Sequence, residues 1–264
     1  MIVLITGVSS GFGRATAEEL SQQGHKVYGT VRREVEPIKG VTYLHADVTE
    51  SATLQAAVAS VVAAEGHIDV LINNAGMGIG GPIEFSTEED TKAQIDVNFM
   101  GTVRATQACL PIMRSQRKGT IICTGSIGGL MGLPFQGLYS ASKFAIEGYC
   151  EALRLEVKKF GINVVVINPG DFATSFTARR RKTESADAAT DYPAYAASMK
   201  SIEHDEQSGL KPEYLARRVA RILKSRRPRY RYLIASPLQK LSVGLKHILP
   251  PRLFATLLSV YYKL

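Results

Sequence analysis

Residues 2–13 read Ile2-Val3-Leu4-Ile5-Thr6-Gly7-Val8-Ser9-Ser10-Gly11-Phe12-Gly13. The aliphatic run predicts a short strand buried on both faces. It opens at once into a glycine-rich turn, and the helical pattern of Arg14 to Gln23 follows. In a strand, glycine-rich turn and helix, the glycines let backbone approach a phosphate closely. The helix start adds free N–H groups and its positive dipole end. Gly7, Gly11 and Gly13 set the turn, with Ser9, Ser10 and Phe12 between them. The spacing is G-x-x-x-G-x-G, which differs from the G-x-G-x-x-G of the usual dinucleotide fingerprint. Its place at the first strand-to-helix junction predicts a nucleotide site.

The rest of the chain repeats this alternation. Strands are predicted at Lys26 to Val31, Val41 to Ala46, Asp69 to Ile72, Thr120 to Thr124, Ile162 to Ile167 and Tyr230 to Ile234. Helical patterns cover Thr49 to Ala64, Glu88 to Met113, Tyr139 to Lys159 and Pro212 to Lys224. Such alternation predicts an α/β fold with a parallel sheet covered on both faces and ligands at the carboxyl ends of the strands. The second strand ends in Arg32-Arg33, with Val31 where an acid would accept ribose hydroxyls. Arginine there accommodates a 2′-phosphate, which favours NADP over NAD, with Ser10 as a second phosphate contact. The fourth strand ends in Asn73-Asn74-Ala75-Gly76, suited to hydrogen bonds beside a cofactor. Asn98 interrupts a long helical pattern, where it could bend the helix and hold a water, and Pro111 predicts a bend or new start further on.

Ser126 follows the fifth strand, and an apolar, glycine-punctuated loop leads to Tyr139 and Lys143. Four residues apart on a helix places the phenol and the ammonium on one face. A neighbouring ammonium favours the phenolate, so Tyr139 is a candidate general acid/base with Lys143 as its tuner. Tyr and Lys at this spacing also occur by chance, so the pair gains meaning only beside a nucleotide site.

The 264 residues, 45% hydrophobic and 21% charged, suffice for one large core, and we read residues 1–264 as a single domain. Cys109, Cys123 and Cys150 lack metal-ligand spacing, and no metal is expected. No apolar run approaches the roughly 18 to 20 residues of a spanning helix, and the first run has no basic leader, so a cytoplasmic protein is expected. Residues 175–210 lose the alternation and read as a substrate lid carrying Phe176, Tyr192 and Tyr195. Charge is uneven: residues 211–264 carry 13 Lys and Arg against the single acid Glu213. Residues 237–264 form a basic amphipathic extension that reads as a peripheral membrane anchor, or as a helix packed on the body or on a partner subunit. Its basic run lacks interleaved stacking aromatics, which excludes nucleic acid as a partner.

Thr6-Gly7-x-x-x-Gly11-x-Gly13, Asn73-Asn74-Ala75-Gly76, Asn98, Ser126, Tyr139-x-x-x-Lys143 and Pro169-Gly170, in that order, resemble the short-chain dehydrogenases/reductases. Residues 125–135 and 141–148 look much like the 17β-hydroxysteroid and retinol dehydrogenase branch. The resemblance implies a Rossmann-type doubly wound sheet of seven mainly parallel strands, a homodimer or tetramer, and hydride transfer at the nicotinamide C4. It implies that Tyr139 exchanges the proton with the substrate oxygen, Ser126 fixes that oxygen, Lys143 holds the nicotinamide ribose and lowers the Tyr139 pKa, and Asn98 anchors a water. Asp47 and Val48 match adenine contacts, Asn74, Ala75 and Gly76 flank the cofactor, and Thr174 matches a carboxamide contact after Pro169-Gly170. Leu130, Met131, Leu133, Pro134 and Phe135 would line the mouth beside Ser126 and Tyr139. The expectation is an NADP(H)-linked carbonyl reductase or alcohol dehydrogenase for a steroid, retinoid or long-chain keto lipid. Its rivals are an NAD-dependent alcohol dehydrogenase of the same fold and a non-catalytic NADP(H)-sensing scaffold.

Overall fold

The structure is a computed structural model, and it describes residues 1–183 and 188–264. Nine strands are described: β1 (Ile2–Ile5), β2 (Lys26–Val31), β3 (Val41–His45), β4 (Val70–Asn73), β5 (Ile79–Gly80), β6 (Gly119–Thr124), β7 (Ile162–Pro169), β8 (Arg181–Lys182) and β9 (Arg231–Ile234). Seven form one sheet in the order β3-β2-β1-β4-β6-β7-β9. Every pairing in it is parallel, from Val3 opposite Val27 and Val70 to Val166 opposite Arg231. The order reverses between β1 and β4, and a doubly wound sheet opens its ligand crevice at that reversal.

Strand residues alternate between two cores, as the two-residue side-chain period requires. Leu4, Leu71 and Ile121 pack on one face with α2 (Ser51–Glu65), α4 (Gly101–Gln116) and α5 (Gly137–Val157). Val3, Ile5, Ile72 and Ile122 pack on the other with α1 (Gly11–Gln22) and α9 (Pro212–Leu223). Covering both faces explains why these strands are continuous apolar runs.

The helical pattern from Glu88 onward forms α3 (Glu88–Ile95), a π-turn (Asp96–Met100) and α4. The irregularity falls at Asn98. Pro111 lies inside α4, so of the bend or new start expected there, the new start does not occur. The lid segment contains α6 (Phe176–Arg179), β8, α7 (Ala188–Asp191) and α8 (Ala194–Gln207), and β8 pairs with β5. Its residues 184–187 lie outside the described residues. The extension is two helices, α10 (Pro237–Ile248) and α11 (Pro251–Tyr262), separated at Pro250. Val243, Phe254 and Tyr262 bury themselves in a third core with Met199 and Ile202 of α8 and Ile127, Met131 and Leu133 of the loop after β6. Among the described residues no helix is long and apolar enough to cross a membrane, and no three side chains gather as a metal site.

Candidate active site

Beyond the strand ends lies a cleft of about 640 Å³. The glycine-rich turn forms one wall. Gly7 has φ +73°, where a side chain is strained, and a Cβ there would sit 3.0 Å from Ala75 Cα. Asn74 Nδ2 donates to the carbonyls of Thr6 and Gly7 at 2.9 Å each, while its backbone N–H donates to Thr6 Oγ1 at 3.0 Å. Asn74 thus ties the end of β4 to the turn after β1, while Asn73 Nδ2 donates to Thr106 Oγ1 and Cys123 Sγ. Ser10 occupies the N-cap of α1 without capping it, and the first turn of α1 holds no acid. Arg179 of α6 reaches over to donate to Ser10 Oγ at 2.7 Å. A glycine cradle, an uncapped helix start and a guanidinium together fit the phosphates of a dinucleotide.

Toward β2 and β3, Arg32 lines the cleft 3.6 Å from Asp47. Burial works against ionisation of Asp47, yet two hydrogen bonds from Thr49 and the Arg32 charge hold its carboxyl below the usual range. Arg32 therefore faces a carboxylate that partly offsets its charge. Val48 completes this end.

At the carboxyl end of β6, Ser126 Oγ accepts from Gly128 N–H at 3.0 Å and is 7% exposed. Tyr139 and Lys143 come from the first turns of α5. Lys143, 5% exposed, donates from Nζ to the Thr124 carbonyl at 2.7 Å, and this ammonium lies 5.8 Å from the Tyr139 ring centre. Burial lowers Lys143 to about 8. Burial likewise pushes Tyr139 up to about 12, against the pull of the neighbouring Ser126 hydroxyl. The reading in which Lys143 lowers the phenol pKa is therefore corrected for the protein's own groups: desolvation outweighs the charges around Tyr139. Asn98 is fully buried. It donates to Met77 O and Ser142 Oγ at 3.0 Å and accepts from Met77 N–H at 2.8 Å, locking the π-turn to the segment after β4 and to α5.

Most of the residues singled out from sequence meet on this cleft: Gly7, Ser9, Ser10, Gly11, Phe12, Arg32, Asp47, Val48, Asn74, Ala75, Gly76, Ser126, Leu133, Tyr139, Lys143, Pro169, Gly170 and Thr174. Among the expected catalytic, cofactor and substrate-binding residues four do not line it. Gly13 packs α1 against the turn, where a Cβ would overlap the Gly7 carbonyl, Arg33 is solvent-exposed, and Asn98 stands behind the wall. Phe135, expected at the substrate mouth, packs its ring 5.3 Å from that of Tyr195, while its carbonyl accepts from Gly81 N–H. Of the other residues expected at the mouth, Leu133 lines the wall and Leu130, Met131 and Pro134 do not. The substrate end instead gains Phe176, its ring 5.7 Å from Tyr139, together with Ile202, Asp205 and Glu206 of α8, Asp171, and Tyr261 and Tyr262 of α11. Phe176 and the α8 residues fall in the segment read as a lid, but none was assigned to the substrate wall, and Asp171, Tyr261 and Tyr262 were not expected there. Only the aromatics of the lid and tail gave a signal.

The short chain dehydrogenase family model matches residues 1–185. The 3-ketodihydrosphingosine reductase of Bacteroides thetaiotaomicron is 46% identical over 262 residues, covering 99% of this chain and 97% of that protein. Human 17-beta-hydroxysteroid dehydrogenase type 1 is 36% identical over 252 residues, or 88% of this chain and 76% of that protein. A solved short-chain dehydrogenase/reductase from Burkholderia phymatum, in complex with NAD, is similar in fold with TM-score 0.82 at 26% identity. That match covers 94% of this chain and 92% of that one. The chain belongs to the short-chain dehydrogenase/reductase family. It is an oxidoreductase with the Rossmann-like fold of that family, whose members use a nicotinamide cofactor.

Proposed function

We propose that this protein is an NADPH-linked reductase of a long-chain, hydrophobic keto compound. The observation that carries this reading is the convergence of Ser126, Tyr139 and Lys143 on the cleft that also holds the glycine-rich turn. The nicotinamide supplies the hydride. Tyr139 gives its hydroxyl proton to the substrate carbonyl oxygen, and the Ser126 hydroxyl holds that oxygen by a hydrogen bond. Burial holds the phenol near 12, so at neutral pH it is protonated and able to donate. Lys143, fixed by the Thr124 carbonyl, presents its ammonium beside the phenol and to the ribose of the cofactor. Asn98 acts as a positioning residue: its side-chain bonds hold the π-turn against Met77 and α5.

Arg32 at the end of β2 supports NADP over NAD, with Asp47, Val48 and Thr174 as further cofactor contacts. A keto lipid is supported by the apolar wall of Leu133, Ile202 and Phe176, and by the name of the Bacteroides relative that spans nearly the whole of both chains. An amphiphilic substrate resides in membranes. Leu238, Leu241, Ile248, Leu257 and Val260 project from α10 and α11, between 46% and 79% exposed, amid basic residues, so these helices are proposed to touch an anionic bilayer. A homo-oligomer is proposed with this reading, to be checked by light scattering. The test of function is NADPH oxidation by the purified protein with a long-chain 3-ketone, a steroid ketone and retinal. Turnover is expected with the long-chain ketone, and its absence from that arm alone would reject the substrate class.

A further inference from the structure

The lid carries a cation to a place where the protein's own electrostatics do not favour one. Arg179 ends α6 and donates to Ser10 Oγ at 2.7 Å, directly over the start of α1. A helix N-terminus bears about half a positive charge, and a guanidinium beside it is unfavourable unless an anion lies with the two. Nothing in α1 supplies that anion: its first turn has no acid, and Ser10 makes no side-chain cap. Arg14 of α1 is already compensated, since it pairs with Glu18 at 3.0 Å and lies 3.8 Å from Glu36. Arg179 and Ser10 both line the cleft, as do Gly7 and Gly11 of the turn.

Resting on the nucleotide-binding reading above, we propose that Arg179 is the lid's grip on a phosphate of the dinucleotide, closing over it from the side opposite the α1 N–H groups. The neighbours of Arg179 show what the grip would organise. Phe176, at the other end of α6, lies against the Tyr139 ring, and the adjoining Arg180 pairs with Glu206 at the substrate end of the cleft. Phosphate, phenol and substrate wall are thus touched by residues 176–180, so holding the phosphate holds Phe176 over Tyr139. Arg32 is not equivalent, because Asp47 lies 3.6 Å from it, whereas Arg179 has no acidic partner among the described residues.

Fluorescence titration of wild type, Arg179→Gln and Arg179→Lys with NADPH and with NADH tests the proposal, using binding and not turnover as the readout. Arg179 is exposed, so the substitutions should leave the fold intact, which thermal melting checks. Arg179→Gln is expected to weaken binding roughly tenfold or more, the usual worth of a charge-assisted hydrogen bond, and Arg179→Lys to keep most of the affinity. Loss with NADPH alone assigns the 2′-phosphate as the gripped group. Equal loss with both cofactors assigns the pyrophosphate, and either result supports the proposal. Wild-type affinity in Arg179→Gln for both cofactors overturns it, as does equal weakness in the Lys and Gln variants. Failure of the wild type to bind either cofactor would refute the nucleotide reading itself.

Discussion

Replacing Gly13 by alanine sets a small gain in helix propensity against a larger steric cost. Gly13 lies inside α1, and in an open helix the change would stabilise by about 1 kcal/mol. Here the new Cβ would lie 3.0 Å from the Gly7 carbonyl carbon and overlap both its oxygen and Asn74 Nδ2. The carbonyl has little room to retreat, because Gly7 already sits at φ +73° against Ala75. Relief requires α1 to slide, or Asn74 to release its bonds to Thr6 and Gly7, each 2.9 Å long. Two lost hydrogen bonds and a stranded amide cost about 3–5 kcal/mol. After the helix-propensity gain, Gly13→Ala should be destabilised by about 2–4 kcal/mol. Gly148→Ala in α5, where a Cβ meets nothing within 4 Å, should gain up to about 1 kcal/mol. Urea titration of wild type and both variants gives the midpoints and slopes. A Gly13→Ala protein within about 0.5 kcal/mol of wild type would refute the packing argument.

Three further outcomes are expected. Glu147, 6% exposed, accepts from Asn168 and pairs with Arg231 at 2.6 Å each; Glu147→Ala should cost about 2 kcal/mol, and an unchanged melting temperature would count against this network. Burial, with Glu206 and Asp205 adding to it, pushes Asp171 up to about 6. An acid raised above its unfolded value favours the native state at low pH and loses that contribution as pH climbs from about 4 to about 6. Asp171→Asn should therefore gain in melting temperature relative to wild type across that window, and a flat difference contradicts the assignment. For the bilayer, the triple variant Leu241→Glu, Ile248→Glu, Val260→Glu changes only exposed positions. It should pellet less than wild type with phosphatidylglycerol vesicles, and equal pelleting removes the membrane proposal.

The seven-stranded sheet was legible because its inner strands are β-branched or aliphatic runs buried on both sides, and each of the seven strands found its place within a residue or two. β5 and β8, two residues each, carry no periodic signal. The Tyr139 and Lys143 pair was legible from spacing, but the direction of the Tyr139 shift was not: sequence displays the charge of Lys143 and hides the burial that outweighs it. The extension was legible as amphipathic, with packing on the body among its readings, but its two faces were not. Leu238, Leu241 and Ile248 point outward while Val243, Phe254 and Tyr262 point into the third core. Its apolar residues serve two faces, and periodicity reports a face without saying what lies against it. Phe135 beside Tyr195, and Phe176 and Arg179 over the cleft, depend on contacts between distant segments that no local pattern encodes.

The central claim is that Tyr139 transfers the proton in a nicotinamide-linked carbonyl reduction. Tyr139→Phe removes one hydroxyl, so NADPH titration and turnover of a long-chain ketone should be measured on the same preparations of both proteins. We predict that the variant binds NADPH within about threefold of wild type, while kcat falls by roughly 10² or more. A variant that turns over at the wild-type rate would contradict the account.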